Sequence, residues 1–338
     1  MNGSQLIIPE PISGGIFLSY KCNSRCQHCM YACSSRWPDD WLSVEDGTAI
    51  LSQLAARLHG KYRHPERVNL NYGVHFTGGE PFLNYGLLLE LIRIAHRLGL
   101  PGLFVETNCF WCRDDETTRD RLLQLREAGL RGILISANPF VVEYVPFERI
   151  ERAARIGEQV FGEGAFVYQR LFFDLFRQLG LKGTLPFAEF LQKAGSNLRY
   201  MELLPLGRVS YKLANLYRRY PARHFYGESC RGELIRDWHI HIDNYGNYLP
   251  GYCGGISLGD ARDLDALCGG INLDERPVLK ALLTSLEELV RLGREYGYQE
   301  GEGYISKCHL CLDVRDHLAK HGEFKELHPA EFYQRLPD

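Results

Sequence analysis

Long hydrophobic runs are missing from this 338-residue sequence: nowhere do about 18 consecutive apolar residues occur, the length a membrane-crossing helix needs. The opening MNGSQLIIPEPISGG has no basic segment and no long apolar run, so a secretory signal is missing too. Neither export nor a membrane span is expected, and the predicted setting is cytoplasmic. A strong excess of one charge is also absent. The net charge of −3 argues against a general nucleic-acid surface, and the one basic run, LYRRYPARH at 216–224, reads as a solvated face. There is no internal repeat and no low-complexity tract. With 45% hydrophobic and 24% charged residues, the composition is that of a globular chain with a substantial core, long enough for one large domain and a smaller one.

Cysteine, by contrast, is plentiful. Eleven cysteines in a reducing compartment are not expected to build a disulfide framework, and clustered spacings there point to metal ligation or redox chemistry. Around them, short β-rich runs alternate with amphipathic segments. GIFLS (15–19) precedes a helix from Ser43, its N-cap, to His59; VHFT (74–77) precedes NYGLLLELIRIAHRLG; LFVET (103–107) precedes DETTRDRLLQLREAG; GILISA (132–137) precedes a helix over 147–161. AFVYQ (165–169) and YMELLP (200–205) complete six predicted strands. The aromatic segment FVYQRLFFDLFRQLG reads as helix core. This pattern predicts an α/β fold, a partial (β/α)6 barrel over residues 10–210 with its reactive face at the C-terminal ends of parallel strands. The rhythm then changes. DWHIHIDNYGNYLPGYCGG reads as a β-hairpin, which places a boundary near 210–225, a small α+β domain over 225–320 and a C-terminal tail over 321–338.

Cys22, Cys26 and Cys29 follow the first predicted strand directly, where a loop can turn three thiolates toward one point. Thiolates suit iron–sulfur clusters or zinc. Structural zinc wants four closed ligands, which Cys33 could complete, whereas three cysteines on a cubane leave one iron open.

CNSRCQHC (22–29) resembles the C-x3-C-x2-C motif of the radical S-adenosylmethionine (SAM) superfamily, including a ring-bearing residue, His28, before the last cysteine. TGGEP (77–81) stands where that family carries its GGE motif, and ETN (106–108), SAN (136–138) and LLPLGR (203–208) end the third, fourth and sixth predicted strands. The resemblance implies a SAM-binding [4Fe–4S] cluster held by Cys22, Cys26 and Cys29, with SAM chelating the open iron and yielding a 5′-deoxyadenosyl radical on reductive cleavage. It further implies that Gly78, Gly79 and Glu80 hold the methionine ammonium and that His28 lies by the adenine. Asn108, Ser136 and Arg208 are candidates for ribose and carboxylate contacts; polar strand-end caps for the first two and a surface charge for the third are the alternatives.

Cys230, Cys253, Cys308 and Cys311 form a C-x22-C, x54, C-x2-C set similar to the shortened "twitch" version of the SPASM domain, which implies an auxiliary [4Fe–4S] cluster closed by four thiolates. Zinc tolerates the same spacing. Cys268 is a less favoured substitute for Cys253. In CFWC (109–112), Cys109 and Cys112 are candidate catalytic thiols, as a hydrogen-atom donor or redox pair, against the alternative of buried inert thiols. His239, His241 and Asp243 alternate along one predicted strand, whose face points either to solvent or to a substrate cavity.

The expected activity is therefore hydrogen abstraction from a peptide or small-molecule substrate, with electrons from a reductase, flavodoxin or ferredoxin. No spare domain of about 80 residues precedes the first strand to bind a leader peptide, and no cobalamin-binding domain precedes the barrel. The rival from another class is a non-catalytic iron–sulfur electron carrier, against which GGEP speaks, since such a carrier needs no SAM site.

Overall fold

Strands and helices alternate over residues 13–168 as the apolar periodicity predicts. In the computed structural model, which describes residues 4–58 and 60–338, the order begins β1 (Gln5–Leu6), β2 (Ser13–Phe17), α1 (Val44–Leu58), β3 (Gly73–Thr77), α2 (Tyr85–Arg97), β4 (Phe104–Thr107), α3 (Asp115–Glu127), β5 (Gly132–Ser136), α4 (Phe147–Phe161) and β6 (Ala165–Tyr168). The chain divides into two compact units. One comprises Ile12–Cys26 and Cys33–Glu202; the other comprises the N-terminal segment ending at Pro11, Gln27–Ala32 and Leu203–Asp338. The division thus falls at 202/203, ahead of the predicted 210–225, and the tail 321–338 belongs to the second unit.

In the first unit β6, β5, β4, β3 and β2 lie side by side, all parallel, as the sheet of a partial α/β barrel. Every residue of β2 and β3 is buried, which is what a parallel sheet covered on both faces requires. Short polar side chains start the helices by taking up orphan backbone N–H groups. Ser43 Oγ accepts from Asp46 N at 2.9 Å, Asn84 Oδ1 from Leu87 N at 3.2 Å, and Asp114 Oδ1 from Thr117 N at 2.7 Å. The first of these helices ends at Leu58; the predicted end, His59, lies outside the described residues.

Residues 200–205, the sixth predicted strand, pair with nothing as a strand among the described residues. The reason is local: Gln169 Nε2 donates to Glu202 O, Tyr168 Oη donates to the Glu202 carboxylate, and Pro205 has no N–H for a ladder. After β6 the chain instead forms α5 (Arg170–Gln178) and α6 (Phe187–Ala194). Phe172, Phe173 and Phe176 are buried against Phe147 and Phe190, with ring centroids 5.4–6.2 Å apart in the contacts that join them. The aromatic helix core is as predicted, and 165–168 before it is the predicted strand.

The second unit contains α7 (Val209–Lys212), α8 (Arg231–Leu234), β7 (Ile240–Ile242), β8 (Tyr248–Leu249), α9 (Leu264–Gly269), β9 (Ile271–Asn272), α10 (Pro277–Thr284), α11 (Leu286–Glu295), α12 (Lys307–His321) and α13 (Ala330–Arg335). β9 pairs antiparallel with β1. β7 and β8 form the predicted hairpin, with His241 opposite Leu249. Asp243 Oδ1 accepts from the N–H groups of Tyr245 and Asn247, and Gly246 at φ +86° supplies the left-handed turn residue. His239, at φ +52°, breaks the extended run before β7. His239, His241 and Asp243 are all buried rather than facing solvent, because His241 Nδ1 is engaged by Tyr31 Oη and Gly251 O and the Asp243 carboxylate by the hairpin turn. Arg218, Arg219 and Arg223 of the basic run are exposed, as predicted. No helix among the described residues is long and apolar enough to cross a membrane.

One close approach joins β2 to the turn after β3. Gly79 N donates to Ser19 O at 2.8 Å and Glu80 N to Lys21 O at 3.0 Å. A Cβ on Gly79 would stand 2.0 Å from Lys21 O, whereas one on Gly86, in α2, meets nothing within 4 Å. Gly79→Ala is therefore expected to lower stability by at least about 1–3 kcal/mol through forced backbone displacement. Gly86→Ala is expected to be neutral or slightly stabilising. Urea denaturation midpoints of the two variants check this; equal midpoints would show that the turn can move aside.

Candidate functional site

The loop after β2 begins with a thiol that is already held. Cys22 is buried; its Sγ accepts from Ser24 N at 3.4 Å and from Asn108 Nδ2 at 3.8 Å, while Cys22 N donates to Ser34 O. Donors on sulfur favour the thiolate, the form that ligates iron. Cys26, in the same unit, is half-buried. Cys29 is also half-buried and falls in the short segment Gln27–Ala32 of the other unit, where Cys29 O accepts from Arg208 N at 3.1 Å. Cys33 is buried. The chemistry of the donor set, three thiols within eight residues of sequence with the first fixed by N–H donors, is that of a cluster with three protein ligands.

Gly78 and Gly79 do serve close approach, but of the protein's own backbone: a Cβ on Gly78, whose φ is +116°, would stand 2.4 Å from Ser19 O. Glu80 is buried, with Oε1 accepting from Phe82 N and Thr107 Oγ1 and Oε2 accepting from Asn108 N at 2.8 Å. Burial outweighs these donors and raises its carboxyl from 4.5 to about 7. Thr107 Oγ1 also accepts from Trp111 Nε1, and the Trp111 ring stacks on Phe82 at 4.0 Å. Asn108, predicted as a ligand contact or a cap, spends its amide within the protein: Nδ2 donates to Asn23 Oδ1 at 2.8 Å and to Ser24 Oγ, and Oδ1 accepts from Phe110 N. Ser136 is half-buried at the end of β5, in register with Tyr168.

Cys109 and Cys112 are both buried. Burial and the neighbouring Cys112 thiol push the Cys109 thiol well above its ordinary value, so it is a protonated S–H at neutral pH. In the second unit, Arg208 is not the surface charge allowed by the sequence. It is fully buried, because Nη2 donates to Ala32 O at 2.8 Å and to Arg335 O at 3.3 Å. Burial and the Arg208 charge lower His28 to about 4, leaving it neutral.

Four cysteines from three separate segments converge in that unit. Cys230 precedes α8, Cys253 follows the hairpin, and Cys308 and Cys311 lie at the start of α12, whose N-terminus is capped by Ser306 Oγ on His309 N. All four line one cavity of about 40 Å³, together with Glu233 and Arg315; Cys268 does not line it. Hydrogen bonding from Cys230, with the Arg315 charge contributing, lowers Cys311 to about 6, whereas burial raises Cys253 to about 11. Cys230 and Cys308 are also pushed up, Cys230 mainly by its bond to Cys311 and Cys308 by burial. Protein surroundings alone thus stabilise one thiolate of the four. A thiophilic metal centre would supply the positive charge that the other three need.

Sequence reasoning passed over Glu106, Arg315 and Tyr333. Arg315 had a legible signal, since it stands one helical turn after Cys311. Glu106 Oε2 accepts from Thr77 Oγ1 at 2.7 Å, and its Oε1 lies 3.6 Å from His75 Nε2. Burial raises its carboxyl from 4.5 to about 7, with water reaching the 26% of the side chain that stays exposed. A carboxyl with a raised folded value contributes stability below about 4.5 that is lost as pH climbs to about 7, because only the unfolded chain ionises freely in that window. Glu106→Gln is expected to flatten part of this loss. Denaturation midpoints at pH 5 and pH 8 for both proteins test it; parallel profiles would count against a neutral Glu106.

Residues 16–155 match the Radical SAM superfamily. The chain is 24% identical over 194 residues to the GTP 3',8-cyclase 2 of Pseudomonas aeruginosa, covering 56% of this chain and 53% of that protein. It is 28% identical over 196 residues to the GTP 3',8-cyclase of Xanthomonas campestris pv. campestris, covering 55% and 52%. The chain therefore spans about half the length of the curated relatives it matches. Among solved structures it is similar to BtrN in complex with AdoMet and 2-DOIA (TM-score 0.47, 14% identity, 82% of this chain and 89% of that one) and to native anSMEcpe with bound AdoMet (TM-score 0.46, 12% identity, 90% and 96%). The segment 16–155, which carries the three-cysteine loop and the GGE turn, is a Radical SAM superfamily domain.

Proposed function

We propose that this protein is a radical SAM enzyme that binds one [4Fe–4S] cluster and SAM at the three-cysteine loop and an auxiliary [4Fe–4S] cluster at the four-cysteine cavity. The observation that carries the first part is the C-x3-C-x2-C loop beside a GGE turn that is hydrogen-bonded to residues 19–21. The second part rests on four thiols lining one cavity. When bound, the first cluster and SAM supply an electron and a 5′-deoxyadenosyl radical for hydrogen abstraction from substrate.

The chain's own residues do the positioning. Cys22, Cys26 and Cys29 are the cluster ligands, with Asn108 and Ser24 orienting Cys22 through its sulfur. The GGE turn offers Glu80 as the partner of the SAM ammonium. Arrival of that cation lowers the Glu80 carboxyl from about 7 into its ionised range. His28, neutral at pH 7, is suited to lie by the adenine. Ser136 and Arg208 keep their roles as candidate cofactor contacts, and the Cys109 thiol, protonated, retains the S–H that a hydrogen donor needs. In the second unit Cys230, Cys253, Cys308 and Cys311 close the auxiliary cluster. With four protein ligands such a cluster would have no iron open to substrate, which would suit it to accept the electron that an oxidation must remove.

The setting we propose is the cytoplasm, with a reductase, flavodoxin or ferredoxin as electron source. The substrate class is a peptide or small molecule. The names of the curated relatives make GTP the first small molecule to assay.

Cys26→Ala is expected to abolish reductive SAM cleavage, read as 5′-deoxyadenosine, while Cys33→Ala retains most of it; loss of the cluster in the latter overturns the three-ligand assignment. Protein purified without oxygen is expected to carry about eight irons and eight sulfides, the sum of two cubanes. About four irons plus one zinc would assign the four-cysteine site to zinc. Replacing Cys308 and Cys311 together by Ala is expected to preserve SAM cleavage but lower the ratio of product to 5′-deoxyadenosine; an unchanged ratio rules out the electron-acceptor role.

A further inference from the structure

Beside the four thiols stands a cation with no carboxylate to answer it. Arg315 is on α12, four residues after Cys311, and is almost fully buried. Its Nη1 donates to Gly254 O at 3.0 Å and to Tyr333 Oη at 2.9 Å, while its Nε is buried without a hydrogen-bond partner. The next residue, Asp316, is paired instead with Lys320 at 2.6 Å. Among the described residues Arg315 makes no ion pair. A buried guanidinium with no carboxylate partner is costly, so it favours negative charge within reach of it, that of the neighbouring Cys311 sulfur included. The thiol cavity it lines is the place for that charge.

The guanidinium is also locked in place. Tyr333 Oη donates to Gly255 O at 2.5 Å, so one hydroxyl joins α13, α12 and the turn after Cys253. Phe332 lies on the same turn. A Cβ on Gly254 would stand 2.7 Å from the Phe332 ring, and one on Gly255, whose φ is +73°, would stand 2.3 Å from it. The two glycines therefore let α13 press directly onto the cavity wall. The C-terminal helix walls one side of the site, and Arg315 and Cys311 beside it are buried.

We propose that Arg315 is a positioning residue that sets the potential of the second cluster: its fixed charge, held by Gly254 and Tyr333 under α13, favours the reduced and more negative form. This rests on the reading that Cys230, Cys253, Cys308 and Cys311 hold an iron–sulfur cluster. Net charge, hydrogen bonding and exclusion of solvent are the levers by which a protein moves such a potential, and Arg315 with α13 engages all three. A higher potential makes the cluster a readier acceptor of an electron.

The test uses the full chain, purified without oxygen, in three forms: wild type, Arg315→Gln and Arg315→Lys. Iron, sulfide and zinc are counted first. Four irons and one zinc in the wild type would remove the underlying reading and leave no cluster to tune. With eight irons present, the spectroscopic signal that added SAM leaves unchanged is titrated against potential. Arg315→Gln is expected to shift the oxidised-to-reduced ratio at least tenfold toward the oxidised form, a midpoint about 59 mV lower for one electron. Arg315→Lys, which keeps the charge, is expected to stay within about threefold of wild type, on the order of half that shift. An unmoved midpoint in a fully loaded Arg315→Gln protein, or an equal shift in both variants, overturns the proposal. Should Arg315→Gln empty the site, a cluster retained by Arg315→Lys supports the charge role and loss in both variants overturns it.

Discussion

The reactive end of the first unit depends on two backbone hydrogen bonds, Gly79 N to Ser19 O and Glu80 N to Lys21 O. They extend the pairing of β2 with β3 past the last register pair, Phe17 with Thr77. Because Cys22 follows at once, the first thiol and the Glu80 carboxylate are fixed on neighbouring chain segments before any side chain is considered. Glu80 then gathers Thr107 and Asn108 from the end of β4, and Asn108 reaches back to Asn23, Ser24 and Cys22. The network closes on itself.

Such a network carries a cost that explains its content. A buried carboxylate needs donors for its lone pairs, and Glu80 has three protein donors; even so, desolvation wins and leaves the acid half-neutral near pH 7. A group poised in that way responds to a cation placed beside it. In the second unit Arg315 is a buried positive charge, yet three of the four cavity thiols are driven toward their protonated forms.

Local signals made much of this legible. The βα alternation, the capping residue Ser43 and the hairpin before Cys253 all follow from short-range chemistry, and each is where its residues predict. Failures occurred where a longer-range partner intervened. The run at 200–205 is apolar enough for a strand, but the Gln169 side chain, just after β6, occupies the Glu202 carbonyl that a strand would use. His239 and His241 alternate as strand residues should, yet a left-handed backbone at His239 and hydrogen bonds to His241 bury both. For Arg208 the sequence left open a cofactor contact or a surface charge, and the carbonyls of Ala32 and Arg335 around it exclude the second.

The sequence by itself determined the chemistry on offer: three cysteines at fixed short spacing, a Gly-Gly-Glu turn after a strand and four further cysteines, all set by covalent order. Spacing along the chain restricts which thiols can share one loop. What only the tertiary structure decided is the environment of those groups. The meeting of Cys230, Cys253, Cys308 and Cys311 spans residues 230–311, and the closing of α13 over Arg315 adds the tail. Burial, charge compensation and hydrogen-bond supply depend on what lies nearby in space, and no local pattern records which distant carbonyl, hydroxyl or ring that will be.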